Sequence, residues 1–148
     1  MRLPRISSDG APDSAPAHAD AAAGPARYGA HALLGAWLAT RWQYTSRDDA
    51  ARSLDVVCDL GASVTLSLSE GTYVLTHDVP GRGSRSLGGT IEMGAEALVM
   101  RARDAASPET VRFRLADHTL SLSSETSFWD FDGAGEQPAR FVAVLVRL

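Results

Sequence analysis

From residue 35 to the last residue, apolar and polar side chains alternate in short runs separated by Gly, Pro, Asp and Ser. A period of two residues is typical of a β-strand with one buried face, and no stretch shows the 3.6-residue period over the length of a core helix. The pattern predicts ten strands, near residues 36–45, 54–60, 63–69, 72–78, 86–93, 97–103, 109–116, 119–124, 127–131 and 139–148.

Short turns predict the register of three hairpins, because a two-residue turn fixes which side chains lie opposite each other. Turns at residues 70–71, 94–95 and 117–118 place apolar side chains in the pairs Leu68–Tyr73, Leu66–Leu75, Ile91–Leu98, Leu115–Leu120 and Phe113–Leu122. Ser, Thr and Arg side chains occupy most of the opposite face. The three hairpins therefore share one apolar and one polar face.

The predicted fold class is all-β, a single antiparallel up-and-down barrel of about 8–10 short strands. A meander of this length must bury one face and protect its edges, and closure into a barrel does both. A two-sheet sandwich is the alternative, but it needs longer crossover connections than the spacing of these strands provides.

The N-terminal segment differs in composition from the remainder of the chain. Residues 1–31 are rich in Ala, Pro, Asp and Ser and contain no periodic apolar positions. Such a segment buries too little apolar surface to offset the entropy of ordering it. We therefore expect a disordered tail over residues 1–31 and a barrel domain over residues 32–148.

Charge and cysteine content exclude several functional classes. The 148 residues carry a net charge of −4 and lack Lys, so all 14 basic residues are Arg. This balance argues against a nucleic-acid partner. The lone Cys58 is expected in the core and cannot form a disulfide within the chain.

No apolar run is long enough for a membrane span, and no apolar signal segment follows Met1. The sequence as written predicts a cytoplasmic protein, or an extracytoplasmic one if the true start lies upstream.

Several short motifs follow one another in a fixed order: Leu34-Gly35-Ala36-Trp37, Tyr44, the hairpin 66–75, the strand 89–91, the segment 113–122, and Arg147. A G-x-W opening, a meander and a late arginine in this order resemble a bacterial lipocalin-like domain of the calycin type. The resemblance covers residues 32–148. It implies that Trp37, following Gly35, plugs the closed end of the barrel and that Arg147 lies over its ring in a cation–π contact. It also implies a small-molecule ligand.

Other candidate motifs fit their chemistry poorly. Residues 130–136 place acidic side chains as a calcium loop would, but the ligands expected at positions five and twelve are missing, which favours a turn. Residues 81–89 hold glycines and two arginines but do not precede a helix, which favours a mobile loop at the barrel mouth over a dinucleotide site. An anionic headgroup in contact with Arg82 and Arg85 is left open as an alternative. The alternation of residues along the strand points the side chain of His77 inward near this loop. We expect its ring to be hydrogen-bonded at the rim of the barrel. The four histidines lack the spacing of metal ligands, so no metal or other cofactor is predicted.

Two functional hypotheses follow, and the sequence leaves both open. The first is a barrel that binds a small apolar or amphipathic molecule, with the candidate wall residues Leu66, Leu68, Tyr73, Leu75, His77, Met93, Met100 and Phe113. The second is a self-filled barrel that acts as an interaction or accessory module through its outer arginines or through an aromatic rim of Phe128, Trp129 and Phe131. No catalytic constellation is found, so an enzyme is not expected.

Overall fold

The computed structural model describes residues 31–105 and 107–148. The predicted tail therefore lies outside the described residues, apart from His31. The strands are β1 (Gly35–Ser46), β2 (Ser53–Asp55), β3 (Ser63–Ser69), β4 (Thr72–Val79), β5 (Gly83–Met93), β6 (Ala97–Ala102), β7 (Glu109–Ala116), β8 (Thr119–Trp129) and β9 (Gln137–Arg147), and one helical turn, α1 (Val56–Leu60), follows β2.

Eight of these strands close into an antiparallel barrel. Strands β3 to β9 lie side by side in chain order, and β1 completes the ring by pairing with both β3 and β9. The short β2 lies beside β1 at Gln43–Thr45, beyond the stretch of β1 that pairs with β3. The predicted up-and-down barrel is confirmed. Closure pairs the strand edges that an open meander would leave exposed.

Two of the three predicted hairpin registers are confirmed and one is wrong. Leu66 lies opposite Leu75 across the first hairpin, and the predicted pairs of the β7–β8 hairpin are also present. In the β5–β6 hairpin, however, Ile91 lies opposite Met100, and Met93 lies opposite Leu98. The turn is centred on residues 95–96, since the Gly94 N–H donates to the Ala97 carbonyl at 2.9 Å. A shift of two residues keeps every side chain on its predicted face.

The predicted strand over residues 54–60 is wrong beyond Asp55, because the chain turns into α1 at that point. The Asp55 side chain accepts hydrogen bonds from the N–H groups of Val57 and Cys58, which caps the helical turn. Gly61, with φ +68°, ends it in the left-handed conformation. Cys58 is consequently exposed, not in the core as predicted.

The predicted strands at 119–124 and 127–131 form one continuous strand, β8. A register shift between Ser124 and Ser127 marks a β-bulge against β9. The bulge changes the phase of the strand, so that Ser127 and Trp129, rather than Thr126 and Phe128, continue the inner face of Ser124. This change of phase decides which aromatic side chain reaches the interior.

Inward-facing side chains from all eight barrel strands form one hydrophobic core. Its apolar surface is removed from water by closure, which is the main force that stabilises the fold. The largest fully buried side chains include Trp37, Trp42, Tyr44, Tyr73, Phe141, Leu66, Leu75, Leu98 and Met100.

Trp37 and Arg147 close one end of the barrel. Trp37 is fully buried and its Nε1 donates to the Leu33 carbonyl at 2.9 Å. The Arg147 guanidinium carbon lies 4.2 Å from the centroid of the Trp37 ring, and Nη1 donates to the Leu34 carbonyl at 2.8 Å. Gly35 has φ +127°, and a Cβ there would lie 2.7 Å from Arg147 Nη1. Glycine is therefore required for the guanidinium to reach its position.

Candidate ligand site at the barrel mouth

A cavity of about 290 Å³ lies at the end of the barrel opposite Trp37. It is formed where α1, the β4–β5 hairpin and the last residue of β8 come together. Ligand pockets usually measure about 300–1,000 Å³, so this cavity lies at the lower end of the usual size and suits a small molecule. Its lining consists of Val56, Leu60, His77, Val79, Arg82, Gly83, Arg85 and Trp129.

His77 is held on the inner face of the sheet by both neighbouring strands. It lies opposite Val64 of β3 and opposite Arg85 of β5. Neither ring nitrogen has a hydrogen-bond partner within the described part of the chain, although we expected a hydrogen-bonded ring. Burial lowers the pKa of His77 below its ordinary value of 6.5, and the charge of Arg85 lowers it further, against an opposing effect of Asp78. The imidazole is therefore neutral at pH 7, with one donor and one acceptor nitrogen.

Trp129 forms the aromatic part of the lining. Tyr44 stacks on its ring, with the centroids 4.5 Å apart and the planes at 11°. The indole Nε1 is buried and has no hydrogen-bond partner among residues 31–105 and 107–148. A buried donor without a partner costs about 1–3 kcal/mol, and a ligand acceptor atom at this nitrogen would remove that cost.

Two arginines bring positive charge to the rim of the cavity. Arg82 and Arg85 are exposed, and neither forms a salt bridge with a described residue. Elsewhere on the surface, by contrast, Arg140 pairs with Glu125 at 2.9 Å. The rim is therefore electropositive although the whole chain is acidic.

The mobile loop predicted over residues 81–89 is mostly strand. Strand β5 begins at Gly83, which pairs with Val79, so the turn is confined to residues 80–82. The Arg82 N–H donates to the Val79 carbonyl at 2.8 Å. Farther along, the hydroxyls of Thr76 and Ser86 lie 2.9 Å apart. Pairing with β4 overrides the weak strand preference of the Gly- and Ser-rich sequence.

Of the eight predicted wall residues, only His77 lines this cavity. Met93 and Phe113 are partly buried and pack against the core. The other five belong to the core itself, each at most 2% exposed, and they are Leu66, Leu68, Tyr73, Leu75 and Met100. All five face inward as predicted, and they lie deeper in the barrel than this cavity. Alternation gives the face of a residue and not its height along the barrel axis.

Sequence reasoning missed the contribution of α1, which supplies Val56 and Leu60 to the lining. The signal was present in the sequence. Asp55 is a typical N-cap residue before this segment, and Gly61 is a typical C-terminal glycine after it. The Val56–Cys58–Leu60 alternation favoured a strand instead.

The aromatic rim predicted at the mouth is a half-buried cluster. Phe128, Trp129 and Phe131 are all of intermediate exposure, and Trp129 and Phe131 pack against the core. The cluster leaves little apolar surface free, so it fits the predicted packing role better than that of a docking patch.

The acidic segment after β8 forms a turn. Asp130 accepts a hydrogen bond from the Gly133 N–H at 2.6 Å, and Asp132 accepts one from the Ala134 N–H at 3.0 Å. The hydrogen bond from Ala134 lowers the pKa of Asp132 against an opposing effect of desolvation, and the charge of Arg52, 3.5 Å away, lowers it further. Within the described residues, no three His, Cys, Asp or Glu side chains cluster as a metal site would require.

The Tyr73 hydroxyl is another buried polar group, outside the lining of the cavity. Tyr73 is 1% exposed, and its hydroxyl has no hydrogen-bond partner among the described residues. Burial raises the pKa of Tyr73 above its ordinary value of 10, with a further contribution from the charges of Glu109 and Asp104. The phenol therefore stays protonated well above neutral pH.

Comparisons with known proteins leave the family of this chain open. The chain matches no protein-family model, and comparisons with curated proteins and with solved structures give no significant match. Among the described residues, no helix has the length and apolar character needed to cross a membrane. The functional argument therefore rests on the geometry of the barrel and its mouth.

Proposed function

We propose that this protein binds a small amphipathic molecule at the mouth of its barrel, as a lipocalin-like carrier without catalytic activity. The cavity of about 290 Å³ carries this proposal. Its walls include the apolar side chains of Val56, Leu60 and Val79, and they also hold two side chains, His77 and Trp129, whose polar atoms lack partners within the described chain. A mostly apolar concave surface with a few convergent polar groups is the usual form of a small-molecule site.

The two ends of the barrel support a lipocalin-like arrangement. At one end Trp37 is buried beneath Arg147. At the other end the exposed residues Arg82 and Gly83 border the cavity. A barrel that is plugged at one end and accessible at the other admits a ligand by one route, which suits a carrier.

A second candidate function is a self-filled barrel that acts as an interaction module. The burial of five predicted wall residues in the core favours this alternative. The contact surface would then be the outer face of β6 and β7, where Arg101, Arg112 and Arg114 are exposed, together with the exposed Arg103 directly after β6.

A neutral dye distinguishes the two candidates without involving charge. N-phenyl-1-naphthylamine, whose fluorescence rises in apolar surroundings, is titrated with the wild-type chain, with Leu60→Trp and with Val142→Trp. Leu60 lines the cavity, whereas Val142 is 39% exposed on the outer face of β9. We expect about one dye per wild-type chain, loss of binding in Leu60→Trp because the larger side chain fills the cavity, and unchanged binding in Val142→Trp.

Circular dichroism confirms that each variant is folded before it is scored. A wild-type chain that leaves the dye dark contradicts the carrier proposal and favours the self-filled module. Undiminished dye binding by folded Leu60→Trp shows that the dye occupies another site, which also contradicts the proposal.

A further inference from the structure

The chemistry of the cavity rim narrows the class of ligand, an inference that rests on the proposed function. We infer that the site takes a small planar organic anion, with its acidic group beside Arg82 and Arg85 and its ring against Trp129. Charge, hydrogen-bonding capacity and shape each support this assignment.

The charge of the lining is positive on its inner face. Arg85 lies directly opposite His77, and the next inward pair along the same ladder is Leu75 and Leu87. Arg85 therefore shares the inner face with these residues, whereas the neighbouring Asp78 alternates to the other face. None of the eight lining residues is Asp or Glu. A bound anion would supply the counter-charge that the lining lacks.

The hydrogen-bonding groups of the lining are mainly donors. An arginine guanidinium and an indole Nε1–H only donate, and the neutral imidazole of His77 donates once and accepts once. Trp129 Nε1 and both nitrogens of His77 lack partners within the described residues. A carboxylate accepts through both oxygens and can take a planar, two-point contact from arginine. A cation or a donor-rich ligand would find one acceptor among these side-chain groups, the acceptor nitrogen of His77, and is therefore disfavoured.

The shape of the lining favours a flat ring. Tyr44 covers one face of the Trp129 indole. Trp129 therefore lines the cavity with the part of its ring that Tyr44 leaves uncovered. The side chains of Val56 and Leu60 on α1 also line the space. A volume of about 290 Å³ corresponds to about ten water-sized groups, which is the scale of one or two fused rings. Stacking of such a ring on an aromatic side chain adds to the gain from burial.

Matched probes test the inference by isothermal titration calorimetry. The probes are 2-naphthoate, its neutral isostere 2-naphthamide, and decalin-2-carboxylate, which keeps the acid but is not planar. For two exposed ion pairs we expect 2-naphthoate to bind about tenfold tighter than 2-naphthamide. Loss of aromatic stacking should weaken decalin-2-carboxylate by about threefold relative to 2-naphthoate.

Variants assign the preference to the rim. Arg85→Gln should weaken 2-naphthoate about threefold and leave 2-naphthamide unchanged. Arg112→Gln makes the same charge change on the outer face of β7 and should alter neither affinity. Arg82→Gln, at an exposed turn position, repeats the test if Arg85→Gln is not folded, and an unchanged affinity for 2-naphthoate in that variant contradicts the inference as well.

The outcomes separate this inference from the proposed function. Equal binding of 2-naphthoate and 2-naphthamide, or an equal effect of Arg85→Gln and Arg112→Gln, overturns the anion preference while the carrier function stands. Equal binding of the planar and saturated acids overturns the planar part. Binding of the neutral dye without binding of any naphthyl probe overturns the whole inference, whereas absence of dye binding contradicts the proposed function itself.

Discussion

Replacing Arg147 with methionine should loosen the closed end of the barrel. Methionine keeps an apolar stem over the Trp37 ring but removes the guanidinium. The change therefore deletes the cation–π contact and the hydrogen bonds to the carbonyls of Leu34 and Ala32. The backbone of residues 32–34 then loses its anchor to β9, and Trp37 loses its cover.

The size of the effect follows from these contacts. A cation–π contact at an exposed site is worth about 0.5–1 kcal/mol. Hydrogen bonds to charged groups contribute about 1.5–3 kcal/mol when buried, but Arg147 is exposed, so solvent screening reduces each to about 0.5–1 kcal/mol. Together they give a loss of about 2 kcal/mol in the free energy of unfolding. For a chain of this size, that corresponds to a urea midpoint lower by about 1 M.

Urea denaturation followed by circular dichroism measures the loss, and a double-mutant cycle with Trp37→Leu isolates the contact with the ring. The coupling energy should be about 0.5–1 kcal/mol. Arg112→Met, on the outer face of β7, is the matched control and should change stability by less than about 0.5 kcal/mol. An unchanged midpoint for Arg147→Met, or no coupling with Trp37→Leu, would show that Arg147 does not hold this end closed.

Three further predictions concern the mouth and the core. Asp55→Ala removes the cap of α1 and should lower the free energy of unfolding by about 1 kcal/mol in a denaturant titration; it should also weaken dye binding, and both effects should be absent in Asp55→Asn. Tyr73→Phe deletes a buried hydroxyl that has no partner within the described residues, so the unfolding midpoint should stay the same or rise; a clear fall would reveal a partner for the hydroxyl. Because the pKa of His77 is lowered in the folded state, the unfolded state binds more protons as pH falls below about 6.5, and stability is lost there. The loss between pH 7 and 5 should be smaller in His77→Gln than in the wild-type chain, and equal losses would contradict the burial argument.

The alternation of apolar and polar residues was sufficient to predict the architecture. In two hairpins whose short turn contains a residue at positive φ, the register was predicted to the residue. Gly71 (φ +77°) and Asp117 (φ +57°) mark the β3–β4 and β7–β8 turns in this way. At the β5–β6 turn, Gly94 suggested a turn one residue too early. Because strand alternation repeats every two residues, the resulting shift left the predicted faces correct.

Local competition between two patterns explains the error at α1. Val56, Cys58 and Leu60 alternate as in a strand, while Asp55 and Gly61 cap a helical turn. Alternation over so few residues has no sheet partner to stabilise it unless the fold supplies one. The capping hydrogen bonds of Asp55 are local and need no partner strand.

The sequence by itself determined most of the strands and their inward faces, while the contact between Trp37 and Arg147 was implied by the resemblance to a lipocalin-like domain. Only the tertiary structure decided where the candidate site lies. Its lining comes from three segments that are distant in the chain, and the β8 bulge turns Trp129, not Phe128, to the inside. A pattern of period two gives each side chain a face, but the depth of that side chain depends on strand stagger, bulges and the packing of α1 over the mouth. Those features arise from long-range pairing, which the local pattern does not encode.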